Sequence, residues 1–270
     1  MIPIRNTECN AVKSLIRRRL LAVLTGLTSC LACLPAAADK LPATILAIKP
    51  SVVGVGSFLK TRSPAVMFSG TGFAVGDGLS IITNAHVVPN NLDAAKMEQL
   101  GVVVGAGQDF RFRPARLVAL DRAHDLAHLR LEGGPPLPAL TLGDSRGAVE
   151  GQALAFTGFP LGMVLGLNHV THRAMLSAIT PIVMPSLNSR RLDARAITQL
   201  QRDPLNIFQL DGTAYPGNSG SPVYDTESGA VLGVINMVFV KGLKETAITS
   251  PSGITYAVPA RYVQELLQQK

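Results

Sequence analysis

The stretch Gly217-Asn218-Ser219-Gly220-Ser221-Pro222 sets a serine between glycines in a segment that turns sharply, and it projects one hydroxyl outward. The glycine two before the serine lets the backbone bend. The N–H groups of Gly217 and Ser219 can then point into one small hole, where the anion that develops during acyl transfer would sit. Clusters of Gly, Asn, Ser and Pro also mark ordinary surface turns. The hexapeptide therefore carries chemistry only if the chain also supplies a base for the hydroxyl and an acid to orient that base.

Both occur upstream. The candidate base is His86, in Ile81-Ile82-Thr83-Asn84-Ala85-His86-Val87-Val88, where an apolar strand gives way to a short polar break and a second apolar pair. The candidate acid is Asp125, at the start of a run in which Leu126, Ala127, Leu129 and Leu131 predict a mostly buried strand. Each segment alone has an ordinary structural reading. Together they stand in the order His, Asp, Ser that chymotrypsin-type enzymes use.

With these residues in view, the chain resembles a trypsin-like serine protease of the HtrA/Deg type. Gly70-Thr71-Gly72-Phe73 is similar to a strand of that family, Thr83 to Val88 to its histidine motif, and Asp125-Leu126-Ala127 to its aspartate motif. Leu142-Gly143-Asp144-Ser145 and Thr157-Gly158-Phe159-Pro160-Leu161-Gly162 resemble the stretches that open its second barrel, and Gly253 to Pro259 its closing strand. The similarity runs from about Val52 to Pro259. It implies an all-β fold of two six-stranded antiparallel β-barrels, at about 50–132 and 139–258, with a short C-terminal helix at about 259–269. It also implies a serine endopeptidase in which His86, Asp125 and Ser219 are catalytic and Gly217 and Ser219 form the oxyanion hole. Protein or peptide substrates are expected, and neither a metal nor a cofactor is required. The substrate pocket maps to Thr213, Ala214 and Tyr215 and to a strand from about Ile235 to Val238, in particular Asn236 and Met237. No acidic residue falls there, so a small or medium apolar side chain is expected before the scissile bond rather than Lys or Arg.

Two departures from the family pattern stand out. Ser221 replaces the second glycine after the nucleophile, which the loop tolerates if its φ is negative. The chain stops at Lys270, so no room is expected for the peptide-binding PDZ module many relatives carry. These departures keep a second reading open, a catalytically silent, chaperone-like or binding module that retains the fold.

The first 38 residues read differently. Arg17-Arg18-Arg19 precede an apolar run that continues to about Leu34, and Pro35-Ala36-Ala37-Ala38 supplies an Ala-x-Ala site before Asp39. This is an export signal, and it places the mature chain, 39–270, in the bacterial envelope or outside it. A retained anchor, a twin-arginine signal, or lipidation at Cys30 within Leu27-Thr28-Ser29-Cys30 are alternatives. Cys9, Cys30 and Cys33 are the chain's 3 cysteines and all precede Ala38. The mature chain thus has no disulfide, no thiol nucleophile and no Cys-based zinc site.

Charge and histidines add exclusions. Of the formal net charge of +7, Arg5, Lys13, Arg17, Arg18 and Arg19 against Glu8 contribute +4, which leaves +3 from Asp39 onward. That is too little for nucleic-acid binding without a concentrated patch, and Arg111, Arg113 and Arg116, like Arg190, Arg191 and Arg195, read as solvated faces. His124 and His128 flank the Asp125 motif, while His169 and His172, three apart in a strand, would face opposite sides and not converge on a metal. A short helix is predicted over Leu41 to Ile48, a linker at Gly133-Gly134-Pro135-Pro136, a helical regulatory segment within 186–204, and an amphipathic closing helix with Val263, Leu266 and Leu267 on one face. A homo-oligomer is compatible with the resemblance.

Overall fold

The computed structural model describes residues 39–107, 109–164, 166–182, 205–237 and 253–269, together with Arg17. The segments Met1–Asp39 and Lys40–Lys270 form separate units. The expected export signal with its cysteines (Arg17 apart), the 186–204 segment with its arginines, and Val238 lie outside the described residues.

The unit Lys40–Lys270 opens with helix α1 (Leu41–Ile48), whose Pro42 sits in the first turn, where a missing N–H costs nothing. Six strands follow: β1 (Val52–Phe58), β2 (Val66–Val75), β3 (Ser80–Thr83), β4 (Gln99–Ala106), β5 (Asp109–Asp121) and β6 (Leu126–Leu131). They close into an antiparallel barrel in the order β1-β2-β3-β6-β5-β4. The second set is β7 (Ala153–Gly158), β8 (Val170–Ile182), β9 (Leu205–Asp211), β10 (Pro222–Asp225), β11 (Val231–Ile235) and β12 (Ile254–Pro259). It closes in the order β10-β11-β12-β9-β8-β7, and helix α2 (Ala260–Gln268) follows at once. The expected all-β double barrel with a short C-terminal helix is the fold.

Strands that read as unbroken apolar runs do so because both their faces are buried. In the first barrel Val53, Ala74, Ile81, Val102, Ala127 and Leu129 fill the barrel's own core. Their chain neighbours Val52, Phe73, Val75, Ile82, Val103 and Leu126 point the other way, into a core shared by both barrels and both helices. The second barrel repeats the division, with Phe156, Val223, Ile235 and Ala257 inside and Ala155, Tyr224, Val234 and Val258 in the shared core. Period-two alternation thus distributes one set of strands between two cores. Each fully buried Val, Leu, Ile or Phe contributes about 1.5–3 kcal/mol.

Helix α2 buries Ala260, Tyr262, Val263 and Leu266 and packs on β11 of the second barrel and on β5 and β6 of the first. The Tyr262 ring stacks on His124, with centroids 4.0 Å apart, in the turn that leads to Asp125. Gly133 and Gly134 take left-handed conformations in the connection between the barrels, and the Arg113 guanidinium donates to the carbonyls of Gly133 and Pro135.

Candidate active site

The site is built where loops of the two barrels meet. β3 ends at Thr83, Asn84 stays extended, and Ala85–Val87 forms one tight turn whose Ala85 and Val87 are buried, which leaves His86 on the outer side. Asp125 occupies the turn just before β6 at φ +53°, a left-handed conformation that Asp tolerates better than most residues. Its backbone carbonyl accepts from Ala85 N (3.1 Å) and Asn84 Nδ2 (3.0 Å), and its Oδ1 accepts from His86 N (2.9 Å). The histidine turn and the aspartate turn are therefore cross-tied through backbone as well as side chains.

The side chains then form a relay. Asp125 Oδ2 lies 2.6 Å from His86 Nδ1, and His86 Nε2 lies 3.0 Å from Ser219 Oγ. Asp125 and Ser219 are 6% exposed, and the His86 side chain 28%, so the ring is the face a ligand meets. An Nδ1–H donated to the carboxylate leaves Nε2 as the acceptor for the serine hydroxyl. His86, Asp125 and Ser219 come together across sequence separations of 39 and 133 residues.

The loop that carries Ser219 can be accounted for peptide by peptide. The carbonyl of Pro216 accepts from Leu161 N (2.6 Å), that of Gly217 from Thr71 Oγ1 (2.7 Å), that of Asn218 from Ser221 N (3.0 Å), and that of Ser219 from Thr71 N (2.8 Å). Asn218 N donates to Tyr215 O and Gly220 N to Ile235 O. Two N–H groups of this run, those of Gly217 and Ser219, have no acceptor among the described residues. In a trans peptide the N–H points opposite to its carbonyl, so anchoring the carbonyls of residues 216 and 218 fixes the direction of both open donors. Gly217 (φ +102°) and Gly220 (φ +87°) are needed for this path: a Cβ on Gly217 would strike Phe159 O, and one on Gly220 would strike Thr71 O.

Ser221 takes a negative φ, so its Cβ adds no backbone strain. Its Oγ is buried without a hydrogen-bond partner among the described residues and points at Gly158, where a Cβ would collide with it. The glycine of Thr157-Gly158-Phe159 thus makes room for the serine that replaces the family glycine.

Among the residues expected to line the substrate pocket, Asn236 is fully buried and donates Nδ2 to Asp125 Oδ2 (2.9 Å), so its carboxamide is engaged with the carboxylate. Of the other pocket residues, Ala214 is buried in the second-barrel core and donates its N–H to Thr255 Oγ1 (3.0 Å), Met237 packs against that core, and Thr213 and Tyr215 are half-buried. Thr71, quoted in the sequence only within Gly70-Thr71-Gly72-Phe73, was not singled out; its signal is a polar residue in the buried half of β2, residues 70–75.

The remaining histidines take separate places. His124 pairs with Asp121 (2.5 Å) under Tyr262. His169 lies one residue before β8 and bonds through Nε2 to Val52 O (2.9 Å), and burial holds its pKa below the ordinary value. His172 stacks on Phe156 (4.9 Å) and is shifted down by burial as well. His128 is buried with neither ring nitrogen partnered among the described residues; burial first, then the Arg130 charge, lowers its pKa.

Comparison with known proteins agrees with this architecture. The family model for the trypsin-like peptidase domain matches residues 70–234. The periplasmic DegP-like serine endoprotease of Halomonas elongata is 29% identical over 201 residues, which cover 74% of this chain and 34% of the relative. Human serine protease HTRA3 is 29% identical over 227 residues, covering 82% and 43%. The chain thus spans well under half the length of the curated relatives it matches. Among solved structures, the HtrA-type protease AlgW with a decapeptide is similar in fold at a TM-score of 0.61 and 23% identity, covering 84% of this chain and 66% of that one. The serine endoprotease of Yersinia pestis is similar at 0.58 and 22%, covering 87% and 66%. Sequence and fold agree: the chain belongs to the trypsin-like peptidase domain family, and it is similar to HtrA- and DegP-type proteases.

Proposed function

We propose that this protein is an exported serine endopeptidase of the bacterial envelope that cleaves protein or peptide substrates. The observation that carries this reading is the relay Asp125–His86–Ser219, at 2.6 and 3.0 Å, facing a loop with two open N–H groups. Ser219 Oγ attacks the scissile carbonyl carbon while His86 Nε2 takes its proton. The oxyanion is received by the N–H groups of Gly217 and Ser219, and losing one such donor costs on the order of 10²–10³ in kcat. Collapse of the tetrahedral intermediate breaks the C–N bond, and His86 returns the proton to the leaving amine. Water then attacks the acyl-enzyme by the same route in reverse. Asp125 keeps the imidazole in the Nδ1–H tautomer and stabilises its cation.

The envelope location is supported by the arginine-led apolar leader that ends in Ala-x-Ala and by the periplasmic description of the Halomonas relative. The segments at Thr213, Tyr215 and Met237 carry no acidic side chain, which supports cleavage after uncharged rather than basic residues.

A fluorophosphonate probe tests the function. Covalent labelling of the wild-type protein that disappears in Ser219→Ala is the expected result. Absence of labelling of the wild type, in the presence or absence of peptides and unfolded proteins, would instead mark a silent protease-fold binding module.

A further inference from the structure

Thr71 lies in β2 of the first barrel, fully buried, and the loop it serves belongs to the second. Its Oγ1 donates to Gly217 O (2.7 Å) and accepts from Phe159 N (3.1 Å), while its backbone N–H donates to Ser219 O (2.8 Å). Its own carbonyl accepts from Thr83 Oγ1 (2.6 Å). Thr83 ends β3 and stands three residues before His86. A ladder of hydroxyls and carbonyls thus runs from the strand that presents the base to the loop that presents the nucleophile.

Of the four carbonyls from Pro216 to Ser219, Thr71 anchors two, one by its side chain and one by its backbone. The side-chain anchor acts where the loop is softest. Gly217 has no Cβ and stands at φ +102°, so little besides hydrogen bonds resists rotation of the Gly217–Asn218 peptide. That peptide lies between the two planes that carry the open N–H groups of Gly217 and Ser219. Rotating it re-aims both donors. A hydroxyl offers one donor and two acceptor sites, and here the donor is spent on Gly217 O and an acceptor site on Phe159 N–H. A methyl of similar size would leave the half-buried Gly217 carbonyl and the buried Phe159 N–H without this partner, a state the loop relieves by turning.

We infer that the Thr71 hydroxyl is a positioning element for transition-state stabilisation, holding the Gly217–Ser219 donors in register with the His86 base across the barrel boundary. It touches no substrate atom and acts through the loop. The inference rests on the peptidase reading of the site.

The test compares Thr71→Val, which removes the hydroxyl at nearly constant volume, with Thr71→Ser, which keeps it. In the full-length protein, Thr71→Val should lower kcat on a peptide substrate by about tenfold to a hundredfold with KM within about threefold, and Thr71→Ser should stay within about threefold of wild type. Affinity for a peptide aldehyde, which forms an oxyanion on Ser219, should fall with kcat, while affinity for the corresponding peptide alcohol should not. Hydrogen–deuterium exchange of the 213–222 segment should quicken in Thr71→Val and not in Thr71→Ser. Exchange needs no turnover, so it judges the positioning role even if Ser219 proves unreactive and the peptidase reading fails. Wild-type exchange in this segment of Thr71→Val would overturn the inference, as would wild-type kcat. Should Thr71→Val not fold, Thr71→Ala replaces it. Failure of both to fold, with Thr71→Ser folded, would assign the hydroxyl to global stability and likewise overturn it.

Discussion

Asn236 Nδ2 donates to Asp125 Oδ2 at 2.9 Å, the same oxygen that faces His86 Nδ1 at 2.6 Å. The carboxylate belongs to the first barrel and the carboxamide to the residue just after β11 in the second, so Asp125 is itself held from across the interface. A hydrogen bond to a charged group contributes about 1.5–3 kcal/mol. Asn236→Ala should therefore lower kcat/KM roughly tenfold to a hundredfold, mainly through kcat. A change within twofold would mean that His86 N and Nδ1 hold Asp125 unaided.

Asp125→Asn keeps the shape of the side chain but offers an amide donor where His86 Nδ1–H needs an acceptor. The imidazole is then left in the wrong tautomer, and kcat should fall by about 10⁴ at neutral pH. A burst-phase assay of acylation measures this. A loss below tenfold would remove Asp125 from the mechanism.

Gly220→Ala places a Cβ at φ +87° against Thr71 O and Thr83 Oγ1, both in the first barrel. It should destabilise the fold by about 1–3 kcal/mol or more and abolish fluorophosphonate labelling. Gly76, at φ +61° with open space around it, is the control: Gly76→Ala carries the conformational cost alone and should leave labelling intact. Denaturant unfolding of the pair separates steric collision from φ strain.

Glu98 joins three partners at the edge of the first barrel: Ser57 Oγ (2.6 Å), the Asp93 N–H (3.1 Å) and Arg62 Nη1 (2.7 Å). The Ser57 hydroxyl, then the Asp93 amide and the Arg62 side chain, lower its pKa from 4.5 to about 2. Because the folded value is the lower one, folding favours the carboxylate. That stabilisation is complete above the ordinary value, declines as pH falls towards the folded one, and is gone below it. Glu98→Gln should be less stable at neutral pH and show a flatter decline in unfolding free energy between pH 4.5 and about 2. Parallel curves for the two proteins would rule this out.

His128 has the same sign for a different reason. Burial and the nearby Arg130 charge disfavour its cation, so the folded protein keeps it neutral while the unfolded chain takes up a proton below about 6.5. His128→Leu removes two buried nitrogens that lack partners among the described residues, so it should match or exceed wild type in melting temperature at pH 8 and gain on it as pH falls below about 6. A variant that is less stable by a constant amount at every pH would show that the ring serves only as packing volume.

The sharp turn at 217–222 was legible because its backbone requirements are local. Gly217 and Gly220 require backbone conformations that side chains resist, and such positions write glycine into the chain. The strands were legible as short apolar runs, and the two barrels followed from the resemblance; Val52-Val53, Phe73-Ala74, Ile81-Ile82 and Leu126-Ala127 are apolar on both faces because they lie between two cores. The bond from Asn236 to Asp125 was not legible, for a reason equally physical. Asn236 follows an apolar strand beside the nucleophile, and alternation tells which face a residue takes only once the register is known; a shift of one residue reverses it.

Local physics thus determined the elements and the turn, since each depends on residues adjacent in the chain, while His86, Asp125 and Ser219 were singled out by their order and by the family resemblance. Local physics did not determine partnership. Asn236 reaches Asp125 across 111 residues and Thr71 reaches Gly217 across 146, and the composition around neither residue names its partner. Hydrogen bonds form between groups within about 3 Å, and only closing two barrels against a shared core brings those groups that near. The tertiary structure alone therefore decided which polar residues hold the acid and the oxyanion loop in place.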